Sequence, residues 1–246
     1  MIRKLMIAGL LFGFFSAPVA HASGLAIDLS SSHVDVTSGF DGTTVSLFGV
    51  HEGPGEVAVV VRGPAKDMSV RRKENFLGAW VNRGWMSFKD APVYYYYALS
   101  GEPAKMAPAK ILKDNGIGLD SIPFKSSGWI GEDRRKEFLQ ALIRNKQNDA
   151  LYSKAPGVVK ELGQNFFRAD FYLPSRVPVG KYTVQAFYIV NGKIRDVQTQ
   201  TLKVAHVGVS AQILKFSDQY SFFYGLLSVV LAVFAGWFSN RVRRKA

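Results

Sequence analysis

Between Asp218 and Arg241 the chain carries no formal charge, and residues 220–238 are almost wholly apolar or small. As a helix this stretch reaches roughly 30 Å, the thickness of a bilayer's hydrocarbon core. A helix packed into a protein core shows a polar face; this one has none. A buried strand is far shorter. Tyr220 and Tyr224 stand near one end and Trp237 near the other, as in an interfacial aromatic belt. The expectation is a transmembrane helix over 218–239, with a buried core helix as the rival. Arg241, Arg243, Arg244 and Lys245 follow at once and are the expected topology determinants, keeping a tail of residues 240–246 on the cytoplasmic side. Ser228, Ala232 and Gly236 recur every four residues. They form either a packing stripe for another helix or a chance run of small residues.

The N-terminus has the three-part pattern of a secretory signal. Arg3 and Lys4 precede an apolar run from Leu5 to Phe15, Pro18 breaks it, and Ala20-His21-Ala22 presents small residues for cleavage. Residues 1–22 therefore read as a signal peptide, with an uncleaved anchor as the alternative. Both ends then place residues 23–217 in the periplasm of a Gram-negative cell, tethered to the inner membrane by one span. Net charge is +12, but the two termini carry half of it. The basic excess reads as a topology signal and contact with membrane lipid, and nucleic acid is not an expected partner. Cysteine is absent, which excludes disulfides, thiolate metal sites and a cysteine nucleophile.

The exported part reads as mainly β. Segments such as "TTVSLFGV" and "EVAVVVRG" are short, β-branched and bounded by turn residues. Residues Val57 to Val61 are apolar on both faces, the mark of a central strand covered twice. "FFRADFYL" alternates, and "PVGKYTVQAFYIV" is followed by Asn191-Gly192, the preferred type I′ hairpin pair. A two-residue loop would pair Val190 with Lys193 and Ala186 with Val197. Tyr182 after Pro178 suggests a tyrosine corner. Two helices are expected in between, one stopped at Asn115-Gly116 and one over "GEDRRKEFLQALIRNKQNDALY" with Phe138 and Leu142 on its apolar stripe. The simplest architecture is an immunoglobulin-like β-sandwich with a helical insertion at about 102–160, plus the C-terminal transmembrane helix. Two subdomains are the alternative.

Catalytic signatures are missing. His33, His51 and His206 lack metal-site spacing, no Gly-x-Ser-x-Gly elbow occurs, and Gly116-Ile117-Gly118 lacks the rest of a dinucleotide fingerprint. No cofactor, metal site or catalytic residue is expected. Arg71-Arg72-Lys73 is the strongest internal basic run, either a solvated face or an anion or headgroup site. Trp80, Asn82, Arg83 and Trp85 lie near it in sequence, and together these residues form the candidate ligand or partner surface. Tyr94-Tyr95-Tyr96-Tyr97 must place tyrosines on both sides of a sheet, covered by the insertion or exposed as an aromatic patch.

The stretches "VVVRGP", "VRRKE", "WVNR", "IGLD", "ALIRNKQNDALY", "FRADFYLP", "VPVGKYTVQAFY" and "YGLLSVVLAVFAGW" occur in that order across nearly all of the chain. On them the sequence resembles the alphaproteobacterial putative transmembrane protein family. The resemblance implies an exported domain with one C-terminal span, no assigned activity, and an accessory role beside a sulfite-exporter-type permease. The functional expectation is a non-enzymatic interaction or accessory module for an integral membrane transporter. A periplasmic glycan- or anion-binding module is the alternative, and an envelope hydrolase the third.

Overall fold

Residues 57–61, five consecutive apolar side chains, are all buried. Only a strand with neighbours on both edges and cover on both faces can satisfy them, and each contributes on the order of 1–3 kcal/mol by leaving water. In the computed structural model they form β4 (Glu56–Arg62), antiparallel to β7 (Tyr95–Leu99) on one side and β11 (Gly180–Val190) on the other. The structure describes residues 24–76, 78–127, 131–207 and 220–243. The expected signal peptide, residues 1–22, lies outside them.

Around β4 the remaining strands are β1 (Leu25–Leu29), β2 (His33–Val36), β3 (Gly42–His51), β9 (Gly157–Glu161), β10 (Phe166–Pro174) and β12 (Lys193–His206). They run in the order β1-β3-β10-β9-β7-β4-β11-β12-β2. The structure corrects the expected immunoglobulin-like sandwich of two separate sheets. Parallel pairing of β7 with β9, at Ala98–Gly157 and Leu99–Val158, joins the halves into one nine-stranded sheet that curls like half a barrel. At the opposite edge the chain leaves β3 with β1 and joins β12 in parallel with β2, so one segment serves both edges. The tyrosine corner forms, with the Tyr182 hydroxyl donating to the Pro178 carbonyl.

The β11–β12 hairpin turns at Asn191 and Gly192, whose φ angles of 51° and 74° suit a type I′ turn. Val190 pairs with Lys193 as the loop predicts. Beyond it a bulge between Tyr188 and Ile189 shifts the register, so Ala186 faces Gln198 instead of Val197. The bulge turns Val197 outward and Asp196, Gln198 and Gln200 toward the sheet's interior side.

Between β7 and β9 come α1 (Pro103–Met106), α2 (Ala109–Asp114), a 3₁₀ turn (Leu119–Ser121) and α3 (Glu132–Asn148). Helix α2 ends at Asn115, with Gly116 left-handed at φ 63°. Arg62 of β4 fixes this end: its guanidinium Nη2 donates to the Asn115 carbonyl at 2.8 Å and the Gly116 carbonyl at 3.1 Å.

The last helix, α4 (Ser221–Arg243), forms over the apolar run, but the expected transmembrane helix is corrected. Among the described residues no helix is long and apolar enough to cross a membrane. The helix begins only at Ser221, and its apolar run carries Ser228 and ends before Ser239. The helix's remaining turns contain Asn240, Arg241 and Arg243. Ser228, Ala232 and Gly236 are exposed along it, and Ser228 donates back to the Tyr224 carbonyl at 2.8 Å. The side chains of Arg241, Arg243, Arg244 and Lys245 lie outside the described residues.

Candidate functional site

A second sheet stands apart from the nine strands. β5 (Ala65–Phe76) and β6 (Ala79–Pro92) form a long hairpin, and β8 (Lys125–Ser127) adds a third strand along Ser87–Lys89. Strand alternation gives the hairpin two unlike faces. Met68 opposite Phe88 and Val70 opposite Met86 point to α3, where Phe138 and Leu142 complete a small separate core. Ser69 opposite Ser87 and Arg71 opposite Trp85 occupy the other face. α3 is thus a one-sided cover, which leaves the outer face open.

Trp85 is 65% exposed, well beyond what tryptophan's large apolar surface normally leaves in water. Beside it, Gly84 adopts φ 148° and leaves a depression of about 420 Å³ with Ser69, Arg71 and Trp85 around it. The strand pairing brings all the sequence-predicted surface residues onto this one arm. Arg71 faces Trp85, Lys73 faces Asn82, and Asn75 faces Trp80, with Arg72 and Arg83 in the same strands. The side chains of Lys73, Trp80, Asn82 and Arg83 lie outside the described residues.

Where the arm meets α3, Arg72 forms an ion pair with Glu137, Nη1 to Oε2, at 3.0 Å. A cavity of about 370 Å³ opens there, lined by Arg71 and Arg72 from β5 and by Glu137, Arg144 and Asn145 from α3. The sequence reading missed Arg144 and Asn145. The one available signal was that α3's apolar stripe must dock on something, which exposes its flanking charges to whatever it covers. A larger groove of about 680 Å³ runs along the other flank of α3, floored by Phe88, Phe124 and Ile143 and rimmed by Lys113, Asp120 and Arg135. Its rim mixes both signs and converges on no single group.

The tyrosine quartet is structural. Tyr94 and Tyr95 are buried, and three hydroxyls donate to backbone carbonyls: Tyr94 to Tyr172 at 2.8 Å, Tyr95 to Gly116 at 2.7 Å, and Tyr96 to Asp170 at 2.8 Å. Burial raises the Tyr94 and Tyr95 hydroxyls above the ordinary phenol range. Tyr97 lies at a further cavity near Leu119 and Asp120, and burial, then the Asp120 charge, raises it too. His51 is buried between the rings of Tyr188, 5.1 Å away, and Phe167, 6.0 Å away. Its Nδ1 lies 3.0 Å from the Gly53 carbonyl, which can only accept, so Nδ1 carries the proton. Nε2 is buried and has no hydrogen-bond partner among the described residues. His33 and His206 are exposed. Among the described residues no three His, Asp or Glu side chains gather as a metal site would require.

No curated protein matches the chain. A family model described as "Putative transmembrane protein" matches residues 24–245. On that match the chain belongs to the putative transmembrane protein family Alph_Pro_TM.

Proposed function

We propose that the chain is a non-enzymatic, membrane-associated accessory module that works on the periplasmic side of a bacterial inner membrane. Its hairpin arm engages an integral membrane transporter. The observation that carries this reading is Trp85, 65% exposed beside Arg71 on an arm whose inner face is already covered by α3. Tryptophan and arginine are the residue types most enriched at the energetic centres of protein interfaces. Support for attachment comes from α4, whose apolar side chains are exposed from Phe222 to Trp237 and so match lipid or the apolar surface of a membrane partner. The signal-peptide pattern supports the periplasmic side.

The experiment is photo-crosslinking in native membranes from a reactive amino acid placed at position 85, with position 158 as the control. Val158 is equally exposed on β9 of the large sheet, away from the arm. A product containing a multi-span transport protein from 85 and not from 158 is the expected result. Equal products from both, or none from 85, would end this reading.

A further inference from the structure

We infer that the cavity between β5 and α3 is a binding site for a tetrahedral oxyanion, a phosphate or sulfate group. Three arginines, Arg71 at the edge it shares with the outer-face depression, Arg72 and Arg144, line one space of about 370 Å³ with a single carboxylate, Glu137. Glu137 is already engaged by Arg72. Among the described residues Arg71 and Arg144 have no ion-pair partner. The cavity thus holds an excess of two positive charges. Like charges crowded into a concave space repel one another, and an anion relieves that repulsion. Phe138 and Val70 form an apolar floor beneath the charged rim. The guanidinium fork matches two oxygens of a phosphate or sulfate at once, which a lysine ammonium cannot do. The Asn145 amide adds a neutral donor. Glu137 acts as a positioning residue by holding Arg72 at the rim.

The source of the oxyanion is either a free ion or a lipid headgroup, and the chemistry of recognition is the same. The inference stands on the cavity alone and does not need the arm's outer face to bind a transporter.

The test uses the full chain in a neutral detergent, titrated with sodium phosphate and sodium sulfate by calorimetry, with sodium chloride as the comparison. A parallel arm measures flotation with vesicles of phosphatidylcholine alone or mixed with phosphatidylglycerol. Arg71→Gln and Arg144→Gln are each expected to weaken binding about fivefold. Lys181→Gln removes the same charge from an exposed position at the start of β11 and leaves binding unchanged. Saturable phosphate or sulfate binding with this variant pattern supports a free-ion site. Phosphatidylglycerol-dependent flotation with the same pattern, and no response to free ions, supports a headgroup site. Binding no different from chloride in one arm and no lipid preference in the other overturns the inference, as does equal loss in Lys181→Gln. Circular dichroism checks the fold. Should a glutamine variant unfold, Arg71→Lys and Arg144→Lys keep the charge without the fork and must still weaken binding.

Discussion

The Asp196 carboxylate accepts a hydrogen bond from the Leu25 backbone N–H at 3.1 Å, across 171 positions of sequence. Four residues along β12, the Gln200 amide donates to the Ile27 carbonyl at 3.2 Å. β1 pairs with β3 through one edge only, so its other edge would present unpaired backbone groups. Polar side chains of β12 satisfy them in place of a strand ladder. They can do so because the bulge at Tyr188/Ile189 turns Asp196 and Gln200 inward.

Asp196→Ala therefore leaves the Leu25 N–H without a partner. The expected cost is about 1–2 kcal/mol in denaturant unfolding. Amide exchange gives the specific reading: Leu25 is protected in the parent and exchanges rapidly in the variant. Unchanged protection at Leu25 would show that the carboxylate does not hold this edge.

Gly157 stands at the joint between the sheet's halves, paired with Ala98. A Cβ there would sit 1.8 Å from the Tyr96 hydroxyl oxygen. Gly157→Ala must push Tyr96 away from the Asp170 carbonyl, at an expected cost of about 2–3 kcal/mol in urea unfolding. The same substitution in a Tyr96→Phe background costs less, because the closest contact is gone, although the ring Cζ at 2.6 Å remains to be displaced. A double-mutant cycle without coupling would contradict the placement.

These relationships mark what the sequence could and could not disclose. Residues 57–61 announce a doubly covered strand because no other placement hides five consecutive apolar side chains. Asn191-Gly192 discloses its turn because only a few residue types accept its backbone angles. The bulge three residues away was illegible: its benefit is paid to β1, a segment remote in sequence, and local alternation predicts an unbroken ladder instead. The curled sheet was missed for a similar reason, since two short parallel pairs at Gly157 and Val158 decide it and leave no periodic trace. At the candidate site, the proximity of Arg71 to Trp85 was legible as nearness in sequence. Arg144 was not, because it reaches the same cavity only when α3 docks on Val70 and Met86. The apolar run at the C-terminus was read from hydropathy alone, which fixes the helix α4 but not what its apolar side chains face.

The Tyr95 hydroxyl accepts from the Gly118 N–H at 2.9 Å while donating to Gly116. Arg62 also serves the Gly116 carbonyl, so Tyr95→Phe orphans mainly the Gly118 N–H. We expect a loss of about 2 kcal/mol with an unchanged denaturant slope. Because this loop anchors α2 and the 3₁₀ turn over the sheet, increased amide exchange at Gly118 accompanies the loss. Normal stability in Tyr95→Phe would assign the loop's fixation to Arg62 alone.

Alkali provides the broadest test of the aromatic core. Burial raises the hydroxyls of Tyr94, Tyr95, Tyr152 and Tyr182 above their ordinary value. The neutral phenol is therefore favoured in the folded state, and the unfolded chain releases these protons first, near pH 10. Above that pH the unfolded state binds fewer protons than the folded one, so stability falls as pH rises. Each group contributes up to about 1.4 kcal/mol per pH unit until its folded value is reached. Below pH 10 the four hydroxyls are neutral in both states and confer no pH dependence. Tyrosinate absorbance should consequently show these four ionising together with loss of the folded circular-dichroism signal, in one cooperative step. Their gradual ionisation while the fold persists would mean that solvent reaches them, against the burial of Tyr94 and Tyr95 at the start of β7 and of Tyr182 at its corner.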